Sequence, residues 1–477
     1  MDERSGRSDG MKTITIDPVT RIEGHARIKI DLDDSNKVTG AVFQVNELRG
    51  FEKIMVGMEI EKLPLFTARI CGVCPTAHHF ASAKALDRVF EVEPPPAGKM
   101  LRELMYMGHI IHSHTLHFFV LGGPDLILGI DSPAESRNIL GILQANPDAA
   151  KKALRLRSIG QMITEIIGGR GIHPVTCVAG GITFKMSAER RQQLRDLTRE
   201  ALELVKGVLP LCKQIVESHA DLIKDLFTEG YYLGTMLNGK LSFTDGNILA
   251  IDPKGNKVAD FPITDYKNYI VEKVFPYSYM KPAYFKYNGG EHLYMTNPLA
   301  RINCADAIDT PLAEAEFQEF KQRYGHPAHN AVLSHHARII EILYAAERSV
   351  QLIEDDTIMG EPRVPVTKKP GRGVGHVEAP RGILIHDYES DDRGRVKSAN
   401  LIVATQQNYA AINESIRQAA VKFIEKSDKQ VLNGVEVAVR CYDPCLSCAT
   451  HAIGHMAMDV EIFKNGEIQR KIRRSSV

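Results

Sequence analysis

Two C-x-x-C pairs stand near opposite ends of this 477-residue chain. If they share a ligand, the fold must bring both ends together. The first pair lies in RICGVCPTAHH, as Cys71 and Cys74, with His78 and His79 after it. The second lies in DPCLSCATH, as Cys445 and Cys448, followed by His451. Four thiolates can close on one tetrahedral metal ion. Zinc ribbons place their pairs roughly 15 to 20 residues apart, whereas Cys71 and Cys445 are 374 positions apart. A site closed by both ends makes the whole fold its scaffold, which suits a catalytic centre better than a local staple. Spacing alone leaves structural zinc, an iron–sulfur site and other metal centres open.

Lys plus Arg and Asp plus Glu number 59 each, so the formal charge is zero and no basic footprint for nucleic acid is present. The opening MDERSGRSDG lacks the apolar run of a secretory signal. The most apolar stretch, LHFFVLGGPDLILGI, is interrupted by Pro124 and Asp125 and falls short of the ~20 residues a spanning helix needs. A cytoplasmic protein without a membrane span is the expectation. Cysteines are then reduced or metal-bound rather than paired. Cys177, Cys212, Cys304 and Cys441, outside the two pairs, read as small buried hydrophobes.

Alternation on either side of DDSN predicts a β-hairpin over 25–47. Helical periodicity predicts helices over 77–90, 98–122 (carrying His109, His112, His114 and His117), 134–169, 187–229, 328–355 and 408–427, with EPPPAG stopping the first. A hairpin is expected in 240–262 and another in 382–405. The Gly- and Pro-rich stretch 356–381 reads as loop, and Asn465-Gly466 as a hairpin turn near the end. The fold class is α+β: a large helical-bundle core, small β-hairpins at its periphery, and a metal site joined from N- and C-terminal motifs. The expected regions are 1–97 with the first cysteine motif, 98–355 as helical core with an inserted hairpin, 356–451 with the second motif, and 452–477 as an extension.

The residues around the thiols narrow the choice. R-x-C-G-x-C-x-x-x-H runs from Arg69 to His78, and D-P-C-x-x-C-x-x-H from Asp443 to His451. DPVTRIEGH at 17–25, LRGFE at 48–52 and EAPRG at 378–382 complete an ordered set. With these segments the chain resembles the large subunit of nickel–iron hydrogenases, of the cytosolic bidirectional branch, along essentially its whole length.

The resemblance implies reversible heterolytic cleavage of dihydrogen into protons and electrons. It implies that Cys71 and Cys445 are terminal nickel ligands, and that Cys74 and Cys448 bridge nickel to an iron carrying cyanide and carbon monoxide. Soft thiolates suit such metals. Glu23, which read by itself is an acid beside a strand, matches the family's relay for the proton received by Cys445. Arg381 matches the donor over the iron's diatomic ligands, with Asp443 as its partner and Pro380 on the same face. Thr405 matches a hydroxyl donor to a second cyanide, and His78 orients a bridging thiolate. A second metal, magnesium or iron, would take Glu52, the Leu401 carbonyl and His451. Val73 and Leu121 match a gas passage, although core packing explains them equally well. One departure is Ser113, where respiratory members often carry an acid.

The family's large subunit is cut after the histidine of the second motif by a maturation endopeptidase, so 452–477 reads as a removable tail. The chain has no further cysteines at cluster spacing and no G-x-G-x-x-G of its own. An iron–sulfur small subunit is therefore implied, with flavoprotein, NAD-linked or disulfide-reductase subunits beyond it. Iron–sulfur clusters, flavin and NAD would reside on those partners.

Overall fold

The computed structural model describes residues 12–133, 135–367 and 369–450, together with 458–464 and 467–474. A three-stranded antiparallel sheet of Lys12–Ile16, Ala26–Leu32 and Val38–Val45 opens the chain. Ala26, Ile28, Ile30 and Leu32 are buried, the period-two pattern of a half-buried strand. The expected hairpin is present, with one strand more.

The helical core follows. Pro75–Val89 and Pro96–Leu116 each begin with proline, which has no N–H to leave unpaired at the first helical position. The second passes into a π-helical turn, His117–Leu121. The single helix expected over 134–169 is in fact two, Ile139–Ala145 and Pro147–Gly168. Pro147 cannot continue the first helix's ladder, and Asn146 caps the second by accepting from Ala149 N at 3.2 Å. The helix expected over 187–229 stops at Glu217, and a short helix, Ala220–Asp225, follows. Ser334–Glu354 crosses the core, with most of its residues buried.

A five-stranded sheet sits on this core. Its order is Tyr294–Met295, Tyr231–Leu237, Asn247–Ile251, Lys257–Phe261, with Lys240–Leu241 paired to the second of these. The third and fourth strands form the hairpin expected in 240–262.

The loop expected over 356–381 is corrected at its end. Arg372–Ala379 is a buried strand, antiparallel to Gly382–Ser390, which pairs with Val396–Ile402. The glycines that suggested a loop serve close packing. A Cβ at Gly373 would stand 2.2 Å from Ala85 O, and one at Gly375 2.3 Å from Ala81 O. The strand can therefore lie directly on helix Pro75–Val89, which begins at the first cysteine motif. Helices Tyr409–Phe423 and Asp428–Cys441 then lead into the second motif; the latter was not anticipated. Strands Met458–Lys464 and Glu467–Arg474 pair antiparallel; the Asn465-Gly466 turn expected between them lies outside the described residues.

One buried apolar cluster extends from Ile16 to Ala449 and includes Cys71, Cys74, Cys445 and Cys448. The architecture is the expected α+β, with small sheets around long helices. Among the described residues, no helix is long and apolar enough to cross a membrane.

Candidate metal centre

Cys71 follows a short 3-10 turn, Ala68–Ile70, and Cys74 precedes helix Pro75–Val89. Backbone N–H groups of Val73 and Cys74 donate to Cys71 Sγ at 3.2 and 3.3 Å. The second motif is delivered by the end of helix Asp428–Cys441, where Asp443 takes a left-handed conformation, φ 52°. All four thiols are buried, and their sulfurs lie within 4.8 Å of one another. Cys71–Cys445 is 3.3 Å, Cys74–Cys448 3.1 Å, Cys445–Cys448 3.0 Å and Cys74–Cys445 3.9 Å.

Burial pushes the Cys445 and Cys448 thiols well up. Burial opposes ionisation at Cys71 too, but hydrogen bonds from the neighbouring cysteines and the charge of Arg381 draw it well below the usual thiol range. Cys177, Cys212, Cys304 and Cys441 are buried elsewhere, as expected.

Glu23 stands beside the thiols. Cys445 Sγ donates to Glu23 Oε2 at 3.0 Å, Ser447 N donates to the same oxygen at 3.0 Å, and Ser447 Oγ donates to Oε1. The backbones also join, Leu446 N donating to Glu23 O at 3.0 Å. Gly24, at φ +82°, permits this approach; a Cβ there would stand 2.7 Å from Leu446 Cβ.

A network absent from the sequence reading holds that segment. Arg440 donates to Asp125 Oδ2 (2.8 Å), to Glu436 Oε2 (2.7 Å) and to Thr20 O (2.8 and 3.0 Å). Thr20 N donates to Glu436 Oε1 at 2.7 Å, and Arg21 pairs with Asp125. The arginines and carboxylates are scattered in sequence; the only local signal is that Arg440 and Glu436 are one helical turn apart.

Arg381 lies at the turn between strands Arg372–Ala379 and Gly382–Ser390. Its Nε donates to Asp443 O at 2.8 Å and its Nη2 to Asp443 Oδ1 at 3.0 Å. Burial pushes the Asp443 carboxyl up to about 6, against the pull of Arg381 and Arg338. The turn is gripped from below by a second unanticipated group. Arg301 donates to Ala379 O (3.0 Å), Pro380 O (3.1 Å), Glu378 Oε2 (3.1 Å) and both oxygens of Glu341 (2.7 Å each). His114 Nε2 lies 2.8 Å from Glu341 Oε2. Thr405 Oγ1 accepts from Cys445 N at 2.9 Å, and His78 Nε2 lies 3.2 Å from Cys448 Sγ. Burial holds His78 down at about 4, so its ring is neutral near pH 7.

Other expected residues are placed more loosely. Glu52 Oε1 accepts from Leu401 N at 2.8 Å, through the amide and not the carbonyl. Burial pushes the Glu52 carboxyl up. His451 lies outside the described residues. Val73 is half-buried beside Cys71; Leu121 is half-buried on the π-helical turn, its carbonyl accepting from Arg21. Ser113 is buried, and its hydroxyl has no partner among the described residues.

The residues fit the nickel–iron centre that the resemblance implies. Two thiolates sharing a metal at about 2.3 Å stand no more than about 4.6 Å apart, and the sulfur pairs quoted above are closer than that. A cavity of about 20 Å³ adjoins Cys74, Cys445 and Cys448 and is bounded by His78, Arg381 and Thr405. Arg381 Nη1 is buried without a partner among the described residues, a guanidinium donor left for an acceptor that none of them supplies.

A family model described as nickel-dependent hydrogenase matches residues 49–152 and 261–451, and one described as HoxL-like matches 13–48. One component of the vhc F420-non-reducing hydrogenase of Methanococcus voltae is 41% identical over 470 residues, covering 96% of this chain and 99% of its own. The beta component of the NAD-reducing hydrogenase HoxS of Cupriavidus necator is 35% identical over 475 residues, covering 95% and 97%. A crystal structure of NAD+-reducing nickel–iron hydrogenase in the H2-reduced state superposes with a TM-score of 0.89 at 36% identity, over 94% of this chain and 100% of that one. The chain belongs to the nickel-dependent hydrogenase family, as a catalytic large subunit that cleaves dihydrogen.

Proposed function

We propose that Cys71, Cys74, Cys445 and Cys448 hold a nickel–iron centre with cyanide and carbon monoxide on iron, Cys74 and Cys448 bridging, and that Glu23 carries the proton away. When bound, that centre supplies the acceptor for the electron pair of dihydrogen. Cys445 takes the proton and Glu23 receives it from sulfur. The observation that carries this reading is the 3.0 Å contact between Cys445 Sγ and Glu23 Oε2, already within the range a proton transfer needs.

Arg381 Nη1 and the Thr405 hydroxyl donate to the cyanide ligands. The cavity and the unpartnered guanidinium nitrogen support this, since a charged donor is strongest toward an anionic acceptor. Asp443 fixes the guanidinium plane, and Arg301 fixes the turn beneath it. Glu52 belongs to a second, magnesium or iron, site with Leu401 and His451. Its support is the approach of Glu52 to Leu401 and the chemistry of hard cations with oxygen ligands. The tail from 452 is removed by an endopeptidase after metal insertion, in keeping with a family match that ends at residue 451.

Electrons pass to a small subunit with iron–sulfur clusters, then through a flavoprotein to NAD(P), in the cytoplasm. The NAD-reducing relative and the NAD+-reducing structure support this acceptor. A disulfide reductase is the second acceptor; the 41% identity to a relative named F420-non-reducing speaks against a deazaflavin in that place. The test is dihydrogen oxidation by the complex purified with its native partners without oxygen. Reduction of both a viologen dye and NAD is expected. Dye reduction without NAD reduction would move the assignment to the disulfide acceptor, and no dye reduction by nickel-loaded complex would contradict the catalytic roles.

A further inference from the structure

Helix Ser334–Glu354 carries His335, Arg338 and Glu341 on successive turns, none of them more than 1% exposed. A spacing of three sets them along one side of the helix. Glu341 holds Arg301, which grips the Ala379 and Pro380 carbonyls beneath Arg381. Arg338 reaches the segment on the other side of the Arg381–Asp443 pair, its Nη2 donating to Cys441 O at 2.7 Å. His335 stacks on His117, with ring centroids 5.4 Å apart and planes at 18°, and His117 Nε2 donates to Arg440 O at 2.8 Å. Gly122 leaves room for this stack, since a Cβ there would stand 2.8 Å from Cε1 of both rings. One helix thus braces both halves of the Arg381–Asp443 pair.

Arg440 and Cys441 end helix Asp428–Cys441. The last carbonyls of a helix lack their usual partners, and a cation is favoured beside them. The chain then turns through Tyr442 into Asp443, at φ 52°, and reaches Cys445 two residues later. A left-handed residue other than glycine is held by its surroundings. Here Arg381 holds the Asp443 carboxylate and carbonyl, and Arg338 holds the carbonyl two residues before. Burial draws the Arg338 guanidinium down to about 10, against the pull of Asp443, so it is charged near pH 7. Its Nε and Nη1 have no partner among the described residues. A buried cation so sparsely bonded stabilises a fold no better than an apolar side chain of its size, so stability alone does not account for it. We propose that Arg338 is a positioning residue for the metal centre, fixing the turn that sets Asp443 opposite Arg381 and Cys445 among the thiols. This rests on reading the four thiolates as metal ligands.

Arg338→Met keeps a long side chain and removes the charge and the donor. Arg338→Lys keeps both; one guanidinium nitrogen makes the contact, so the planar fork that lysine lacks is not needed. Both variants are measured as holoenzyme with native partners, purified without oxygen. In Arg338→Met, nickel and iron content should match the unaltered enzyme, and a cyanide infrared band should move as Arg381 loses its fixed partner. The kcat for dihydrogen oxidation should fall by about 10- to 100-fold, the loss that a small misplacement of reacting groups brings. Arg338→Lys should recover the band position and most of the rate. Unmoved bands in metal-loaded Arg338→Met would overturn the proposal, and so would a band shift that lysine does not reverse. Should Arg338→Met load no metal, Arg338→Lys decides: full nickel with unmoved bands supports the proposal, and loss of nickel or moved bands overturns it. Zinc without nickel in the unaltered enzyme would overturn the reading of the thiolates, and the role of Arg338 with it.

Discussion

Glu23 and Cys445 are 422 positions apart, yet a carboxylate oxygen of one lies 3.0 Å from the sulfur of the other. Replacing Glu23 by Gln preserves the shape and removes the exchangeable proton. Dihydrogen oxidation with an artificial acceptor should fall by about 100-fold or more, with nickel and iron content unchanged. Full activity in Glu23→Gln would remove the carboxylate from the proton route.

That contact depends on a scaffold behind it. Asp125 lies among Arg21, Arg137 and Arg440, and it is 1% exposed. Asp125→Asn leaves those guanidinium groups without their shared counter-charge, at a cost of about 3–5 kcal/mol. Denaturant unfolding should show that loss, and activity should fall because the Thr20–Glu23 segment loosens. Unchanged stability would contradict the network's role.

Thr405→Val tests the hydroxyl beside the cavity. The Cys445 N–H loses its acceptor, at about 1–3 kcal/mol for a buried unpaired donor. A cyanide infrared band should also move, since valine cannot donate. A spectrum identical to that of the unaltered enzyme would exclude Thr405 as a cyanide donor.

The Arg301 group gives a pH prediction. Burial alone would raise the Glu341 carboxyl, but Arg301 and His114 outweigh it and hold it at about 2, against an ordinary value of 4.5. A depressed folded value means stability that is full above about 4.5 and lost as pH falls toward about 2. Glu378, on the other side of Arg301, is pushed up by burial despite the same arginine, so Glu341 carries the stabilising share. Glu341→Gln should cost about 3–5 kcal/mol at neutral pH and flatten the decline in stability between those pH values. An acid-unfolding profile parallel to that of the unaltered protein would contradict this.

What could be read from the sequence divides by range. The thiols, Glu23 and Arg381 lie in ordered motifs, and the structure brings them into one site. Helix Pro75–Val89 and the hairpin Ala26–Leu32 with Val38–Val45 follow from local periodicity. The break at Pro147 was also written locally, in the Asn-Pro pair that caps and starts a helix. By contrast, Gly373 and Gly375 signal a strand only once Ala81 and Ala85 are known to lie against them. Helix Asp428–Cys441 was hidden by Val435, Val437 and Val439, whose alternation imitates a strand. Arg301, Glu341 and Asp125 meet partners far away in sequence, and the one local mark of these buried ion pairs is Glu436, a helical turn before Arg440.

Every role assigned to the site depends on the four thiolates holding nickel and iron. The direct test is the metal content of the tail-free protein, purified with its native partners in the absence of oxygen. Nickel equimolar with the chain, and iron in excess of the partner's clusters, is the predicted result. Zinc without nickel would contradict it.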